Sequence, residues 1–165
     1  MNTLNFHIEQ QICTEWCWAA VAAAVCACYN DSDAPDQRGV VSLVGGDPDC
    51  DCQQNPSLPC NQPRDLSSVL ATIGHEGEEV PNVLFSQVTN AIDLGRPIVV
   101  RVIFSESAAS GHAIAIYGYT DQGGVLIADP MNAGDKITVG FDDLVNGSSS
   151  TFHGTWQTAF LTIPK

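Results

Sequence analysis

Basic residues are scarce in this chain: six Lys and Arg stand against 19 Asp and Glu, a net charge of -13. So acidic a surface repels phosphate backbones and anionic membranes, which argues against nucleic acid or a membrane as partner. Long apolar runs are missing as well, since no segment reaches the roughly 18 residues that a transmembrane helix needs. Met1–Glu15 holds no Lys or Arg and carries two glutamates, so the apolar stretch behind it does not read as the core of a signal peptide. Internal repeats and low-complexity tracts are absent too. Charged residues make up only 15% of the chain against 44% hydrophobic, a balance that excludes a disordered protein. With 165 residues the chain can bury a core without a structural metal, and residues 1–165 read as one domain.

Cysteine is what the chain has in surplus. Seven in 165 residues point to an oxidising, secreted or extracytoplasmic location. The route there is a leader that this sequence lacks, or, if Met1 is the natural start, a leaderless one.

From Trp16 to Tyr29 every residue is apolar, and the alanine content predicts a buried helix with Thr14 or Glu15 near its start. Cys17 then lies in the first turn, where unpaired N–H groups and the helix dipole favour a thiolate over a thiol. Residues 30–64 change character, rich in Asp, Pro, Gly and Gln, with Cys50, Cys52 and Cys60 among them. So long a loop needs a function or covalent staples. Asp65 caps a short amphipathic helix through Ile73, and Ser86–Leu94 predicts another. After Pro97 come strand-like runs at Ile98–Phe104, His112–Tyr119, Val125–Ala128, Ile137–Phe141 and Trp156–Ile163. Helices followed by a meandering antiparallel sheet make an α+β fold.

The stretch Ser110-Gly111-His112-Ala113 sets His112 at the mouth of a strand, beside a glycine that leaves room for an approaching group. Asp129 ends the next strand, and Pro130 stops further pairing. Antiparallel neighbours joined by a short turn bring His112 and Asp129 to one edge of the sheet. A carboxylate there fixes the imidazole's tautomer and supports its protonated form, which in turn favours a thiolate nearby.

Gln11 six residues before Cys17, the Cys17-Trp18 pair at a helix start, the Gly111-His112-Ala113 strand opening and the Asp129-Pro130 strand ending together resemble the papain-like cysteine peptidases. Within that clan the chain is similar to bacterial branches such as the AvrRpt2-type and C39-type peptidases, and Trp16-Cys17-Trp18-Ala19-Ala20 is most like the former. The resemblance implies a papain-like α+β fold and a cysteine endopeptidase. Cys17 would be the nucleophile, His112 the general base and then acid, Asp129 its orienter, and Gln11 an oxyanion donor beside the Cys17 N–H. A monomer that acts on peptide or protein substrates, without cofactor or metal, is expected. Residues 30–64 match nothing in those branches, and the stretch before Gln11 is too short for an inhibitory pro-segment.

Taken singly, each residue has a plainer role: Cys17 as core filler or half of a disulfide, His112 as a strand-end histidine, Asp129 as a turn former. Gln10 competes with Gln11. The same triad could serve an acyltransferase of transglutaminase type, which added amines would accelerate, or survive inactive in a cysteine-rich binding module. His7, His75 and His153 read as surface residues, and Trp156 as a core tryptophan or a shield for the His112–Asp129 pair. Asp47, Asp49 and Asp51 read as a solvated acidic turn rather than a calcium loop. The remaining cysteines, Cys13, Cys26, Cys28, Cys50, Cys52 and Cys60, allow 15 pairings. Three disulfides tying the 30–64 loop to the helix are expected, with a zinc site of Cys26-x-Cys28 and Cys50-x-Cys52 as the rival.

Overall fold

The computed structural model describes residues 1–104, 111–133 and 137–165. Ser110, the first residue of the histidine stretch, lies outside the described residues. The apolar run forms helix α1, Cys17–Cys28, which is buried on nearly all sides and so shows almost no amphipathic character. Asp36 caps α2, Gln37–Leu43, by accepting from Gly39 N, and Asp65 caps α3, Leu66–Thr72, by accepting from Ser68 N. Helix α4, Phe85–Asp93, buries Val88, Ala91 and Ile92 on one face. The segment 30–64 is therefore not wholly loop, because α2 sits inside it.

Seven strands among the described residues form one antiparallel sheet: β1 (Asn2–Thr3), β2 (Glu78–Val80), β3 (Ile98–Phe104), β4 (Gly111–Tyr119), β5 (Gly124–Ala128), β6 (Ile137–Gly140) and β7 (Gly154–Leu161). Their order is β2-β7-β3-β4-β5-β6, with β1 pairing the end of β4. The meander holds from β3 to β6, but β7 returns to lie between β2 and β3. Beyond β6 the chain enters helix α5, Phe141–Asn146, so Phe141 begins a helix rather than ending a strand.

Alternation along the strands divides the core between the two faces of the sheet. Val99, Ala113, Ala115 and Tyr117 pack with α1, Trp16 and Leu70. Ile98, Val100, Ile114, Ile116 and Ile127 pack with α4 and α5 through Val88, Ile92 and Leu144. Ala113 and Ala115 are small where the alanine-rich α1 crosses the sheet, which lets the helix backbone lie close to β4. That close packing sets the first residue of α1 against the first residues of β4.

Candidate active site

Trp16 is the N-cap of α1 but its side chain makes no capping bond, so the N–H groups of the first turn are left to other acceptors. Cys17 is the next residue, and its Sγ lies 3.5 Å from the backbone N of Ala113, which donates to it. The sulfur is thus fixed against the opening of β4. His112 stands there, 6% exposed, with Nε2 2.7 Å from Oδ1 of Asp129. Its other nitrogen, Nδ1, is not used by Asp129, and Cys17 lies near enough to the ring to favour its protonated form. Burial works against the imidazolium, but the bonds and charges of Asp129 and Cys17 outweigh it and raise the His112 pKa from 6.5 to about 9.

Asp129 caps the 3-10 turn Pro130–Asn132 and accepts from Met131 N at 2.9 Å as well as from His112. Burial raises its pKa, yet these bonds prevail and hold it below the ordinary carboxylate value. Pro130 at the head of that turn fixes where β5 stops and so where the carboxylate sits. Phe104, at the end of β3, lies with its ring centroid 5.5 Å from that of His112 and shields the imidazole. Trp156 packs against Phe141 and the core cluster around it. The register that sets Val102 opposite His112 is the signal that could have singled out Phe104.

Gln11 precedes Cys17 in a braced loop. Its Nε2 donates to the carbonyls of Cys13 and Thr14 at 2.9 and 2.6 Å, and its backbone N donates to Pro130 O at 2.9 Å. Reversing the amide would set its oxygen against two carbonyl oxygens, so the NH₂ must face the loop. Among the described residues Oε1 is buried without a partner. In this arrangement Gln11 braces the loop, and an oxyanion role requires its side chain to turn. The side chain of Gln10 is exposed, while its carbonyl accepts from Nε2 of the buried Gln37 at 2.8 Å. Oε1 of Gln37 in turn accepts from Ile12 N at 2.9 Å, clamping the segment that leads to the site.

The cysteine-rich segment forms the other wall. Two disulfides are present, Cys13–Cys52 and Cys50–Cys60, while Cys26 and Cys28 remain thiols. The expectation of three bridges is corrected for a physical reason: Cys26 and Cys28 both lie on α1, and all the remaining cysteines but Cys17 pair with one another. The rival zinc site falls as well, because Cys50 and Cys52 are taken by separate bridges. Asn61, 8% exposed, accepts from Glu15 N at 2.9 Å and donates to Thr14 Oγ1 and Pro56 O, both at 2.8 Å. Trp18 Nε1 donates to Gln62 O at 3.0 Å. Asp47, Asp49 and Asp51 are exposed, and Asp47 accepts from Asp49 N as an acidic turn would.

A second Cys–His–carboxylate group lies away from the cleft. His75 is fully buried, correcting its surface assignment, whereas His7 and His153 are exposed. Its Nε2 lies 2.9 Å from Asp31 Oδ2, its Nδ1 lies 2.8 Å from Ile163 O, and its ring stacks on Tyr29. Donor atoms of Cys26, Asp31 and His75 lie within 4.8 Å of one another, as metal ligands can. Asp31, however, already takes Lys165 Nζ at 2.7 Å, so the group carries its own cation and needs no ion. Burial, and then Asp31, push the Cys26 thiol up to about 11, which suits a core residue and not a nucleophile.

An open cleft of about 290 Å³ passes over Cys17 and His112, with Trp18, Arg64, Asp65 and Arg101 on its walls. Solved structures share this architecture. A protein described as a C39-like peptidase from Bacillus anthracis is similar over 100% of both chains, with TM-score 0.63 and 12% identity. The peptidase domain of Streptococcus mutans ComA is similar over 96% of this chain and 100% of its own, with TM-score 0.53 and 15% identity. No curated protein matches the chain. A family model does match, across residues 3–159, which is nearly the whole sequence: the chain belongs to the Peptidase_C39 like family.

Proposed function

We propose that this peptidase is a papain-like cysteine endopeptidase working through Cys17, His112 and Asp129. The observation that carries the reading is the grouping of Cys17, His112 and Asp129, in which the His112–Asp129 bond of 2.7 Å stands behind a cleft that Cys17 and His112 both line. The Cys17 sulfur attacks a peptide carbonyl, and the developing oxyanion is received by the N–H groups at the start of α1 and by the Gln11 amide once it turns from its loop carbonyls. His112, held protonated by Asp129, gives its Nδ1 proton to the leaving amine. It then takes a proton from water, which attacks the thioester and frees the acid product. Asp129 stays ionised throughout and keeps the ring oriented.

Peptides or proteins are the substrates of this reading, with neither nucleic acid nor membrane as partner, no cofactor and a monomeric enzyme. The net charge of -13 supports the first exclusion, and no helix of the described residues is long and apolar enough to cross a membrane. Two disulfides favour an oxidising, extracytoplasmic setting. The test is to profile cleavage of a mixed peptide library by the wild type and by Cys17→Ala and His112→Ala. Both variants are expected to fold and to lose turnover, because the attacking group and its proton partner act as a unit. More than trace cleavage by either variant overturns the assignment, and turnover accelerated by added amines points to acyl transfer.

A further inference from the structure

We propose that the cleft beside Cys17 holds a carboxylate-binding subsite, built by Arg64 and Arg101, for an acidic side chain or the C-terminal carboxylate of the substrate; this rests on the peptidase reading. The charge distribution is the first ground. The chain has six basic residues against 19 acidic ones, yet two of the six line this one cleft. The molecule as a whole repels an acidic peptide, and a local pair of guanidinium groups reverses that sign where the substrate must lie.

The second ground is how the two arginines are seated. Arg101 lies on β3 opposite Ala113, and its side chain crosses Gly111, where a Cβ would meet its Nε, Cγ and Cζ. The missing side chain at Gly111 therefore lets Arg101 lie directly ahead of His112. Arg64 adjoins the N-cap of α3 on the facing wall. Asp65 shares that wall and feels the charge of Arg101, but it is one carboxylate against two guanidinium groups, and its Oδ2 accepts from Ser68 N at 2.9 Å and Oγ at 2.7 Å. Among the described residues neither arginine is ion-paired. Each offers a planar fork of donors that matches a carboxylate.

Two experiments on the whole chain test the subsite. In the first, Cys17 is alkylated with anionic iodoacetate and with neutral iodoacetamide, the sulfur displacing iodide in each case, so that no peptidase activity is needed. The ratio of the two rates is expected to fall severalfold in Arg64→Gln and in Arg101→Gln, and to recover with Lys at either position. An unchanged ratio in both Gln variants overturns the proposal. In the second, peptides differing only by Glu or Gln at each position around the cleaved bond, with free or amidated C-termini, are compared by kcat/KM. A preference of about fivefold for one carboxylate is expected, weakened by salt, and the favoured arm tells side chain from C-terminus. Equal kcat/KM in all arms overturns it. Alkylation of Cys17 without cleavage of any peptide overturns the peptidase reading instead, and the alkylation ratio then decides the subsite alone.

Discussion

The indole Nε1 of Trp16 donates to the backbone carbonyl of Cys60 at 3.1 Å, joining the residue just before Cys17 to the far end of the cysteine-rich segment. Trp16 is fully buried, and Trp18 makes the matching bond to Gln62 on the other side of Cys17. The segment thus holds the first turn of α1 from both flanks, and Cys13–Cys52 ties it to the loop before that turn.

Replacing that bridge in Cys13→Ser/Cys52→Ser is therefore expected to lower both stability and turnover. The bridge spans 39 residues of sequence, for which loop closure in the unfolded chain gives about 3–4 kcal/mol. Urea unfolding of the two proteins checks the first effect, and kcat at saturating substrate the second. Wild-type kcat in the double serine variant would show that the segment does not position Cys17 for turnover.

The His112–Asp129 pair makes a prediction about pH. The folded His112 pKa of about 9 lies above the ordinary 6.5, so the folded state holds this proton more tightly than the unfolded chain does. The contribution to stability is complete below about 6.5 and is lost as pH rises through about 9. In the proposed mechanism the protonated ring is also the acid that serves the leaving amine, so kcat/KM should fall above about 9. Asp129→Asn removes the charge that supports the imidazolium. It is expected to move the alkaline limb to lower pH and to reduce kcat by roughly 10²-fold or more. A pH–rate profile for the variant with its alkaline limb where the wild type has it would contradict this role.

Much of this arrangement is legible in the sequence, and the illegible parts have a common cause. Helix α1 follows from an unbroken apolar run, and β3 to β5 follow from β-branched residues between turn formers. Cys17, His112 and Asp129 stand out because each residue's chemistry suits its local position. Strand β2 is hidden because Glu78 and Glu79 are poor strand formers, and pairing with β7 places them. Helix α5 is hidden because six residues with two aspartates carry little periodicity. Gln37, Asn61 and Trp16 take their roles from bonds spanning 25 to 47 residues of sequence, which no local pattern encodes. The disulfides were illegible for the same reason, since proximity in space decides among the pairings.

Gln11 is the residue whose sequence reading the structure most modifies. An oxyanion donor seen only in sequence would be expected to affect catalysis alone, but this side chain also holds the carbonyls of Cys13 and Thr14. Gln11→Ala is expected to lower kcat by roughly 10²-fold and to lower stability by about 1 kcal/mol for each bond lost. Measuring kcat alongside urea unfolding separates the two effects. A greater loss of kcat in Gln10→Ala than in Gln11→Ala would give the role to the neighbouring glutamine.

Three thiols and two bridges give the last prediction its numbers. Unfolded but unreduced protein should titrate with three equivalents of a thiol reagent, and reduction should release four more. In the native protein the three are not alike. Cys17 lines the cleft beside an imidazole that stays protonated up to about 9, while burial raises the pKa of Cys26 and Cys28 and leaves them poor nucleophiles. Iodoacetamide at mildly acidic pH should therefore add one equivalent, located on Cys17 by peptide mapping, with Cys28 following slowly as pH rises and Cys26 only on unfolding. His112→Ala should abolish the fast phase without changing the total after unfolding. Fast labelling of Cys26 in the native state would contradict the closed cluster with Asp31 and His75, and a total of one thiol before reduction would restore the third bridge.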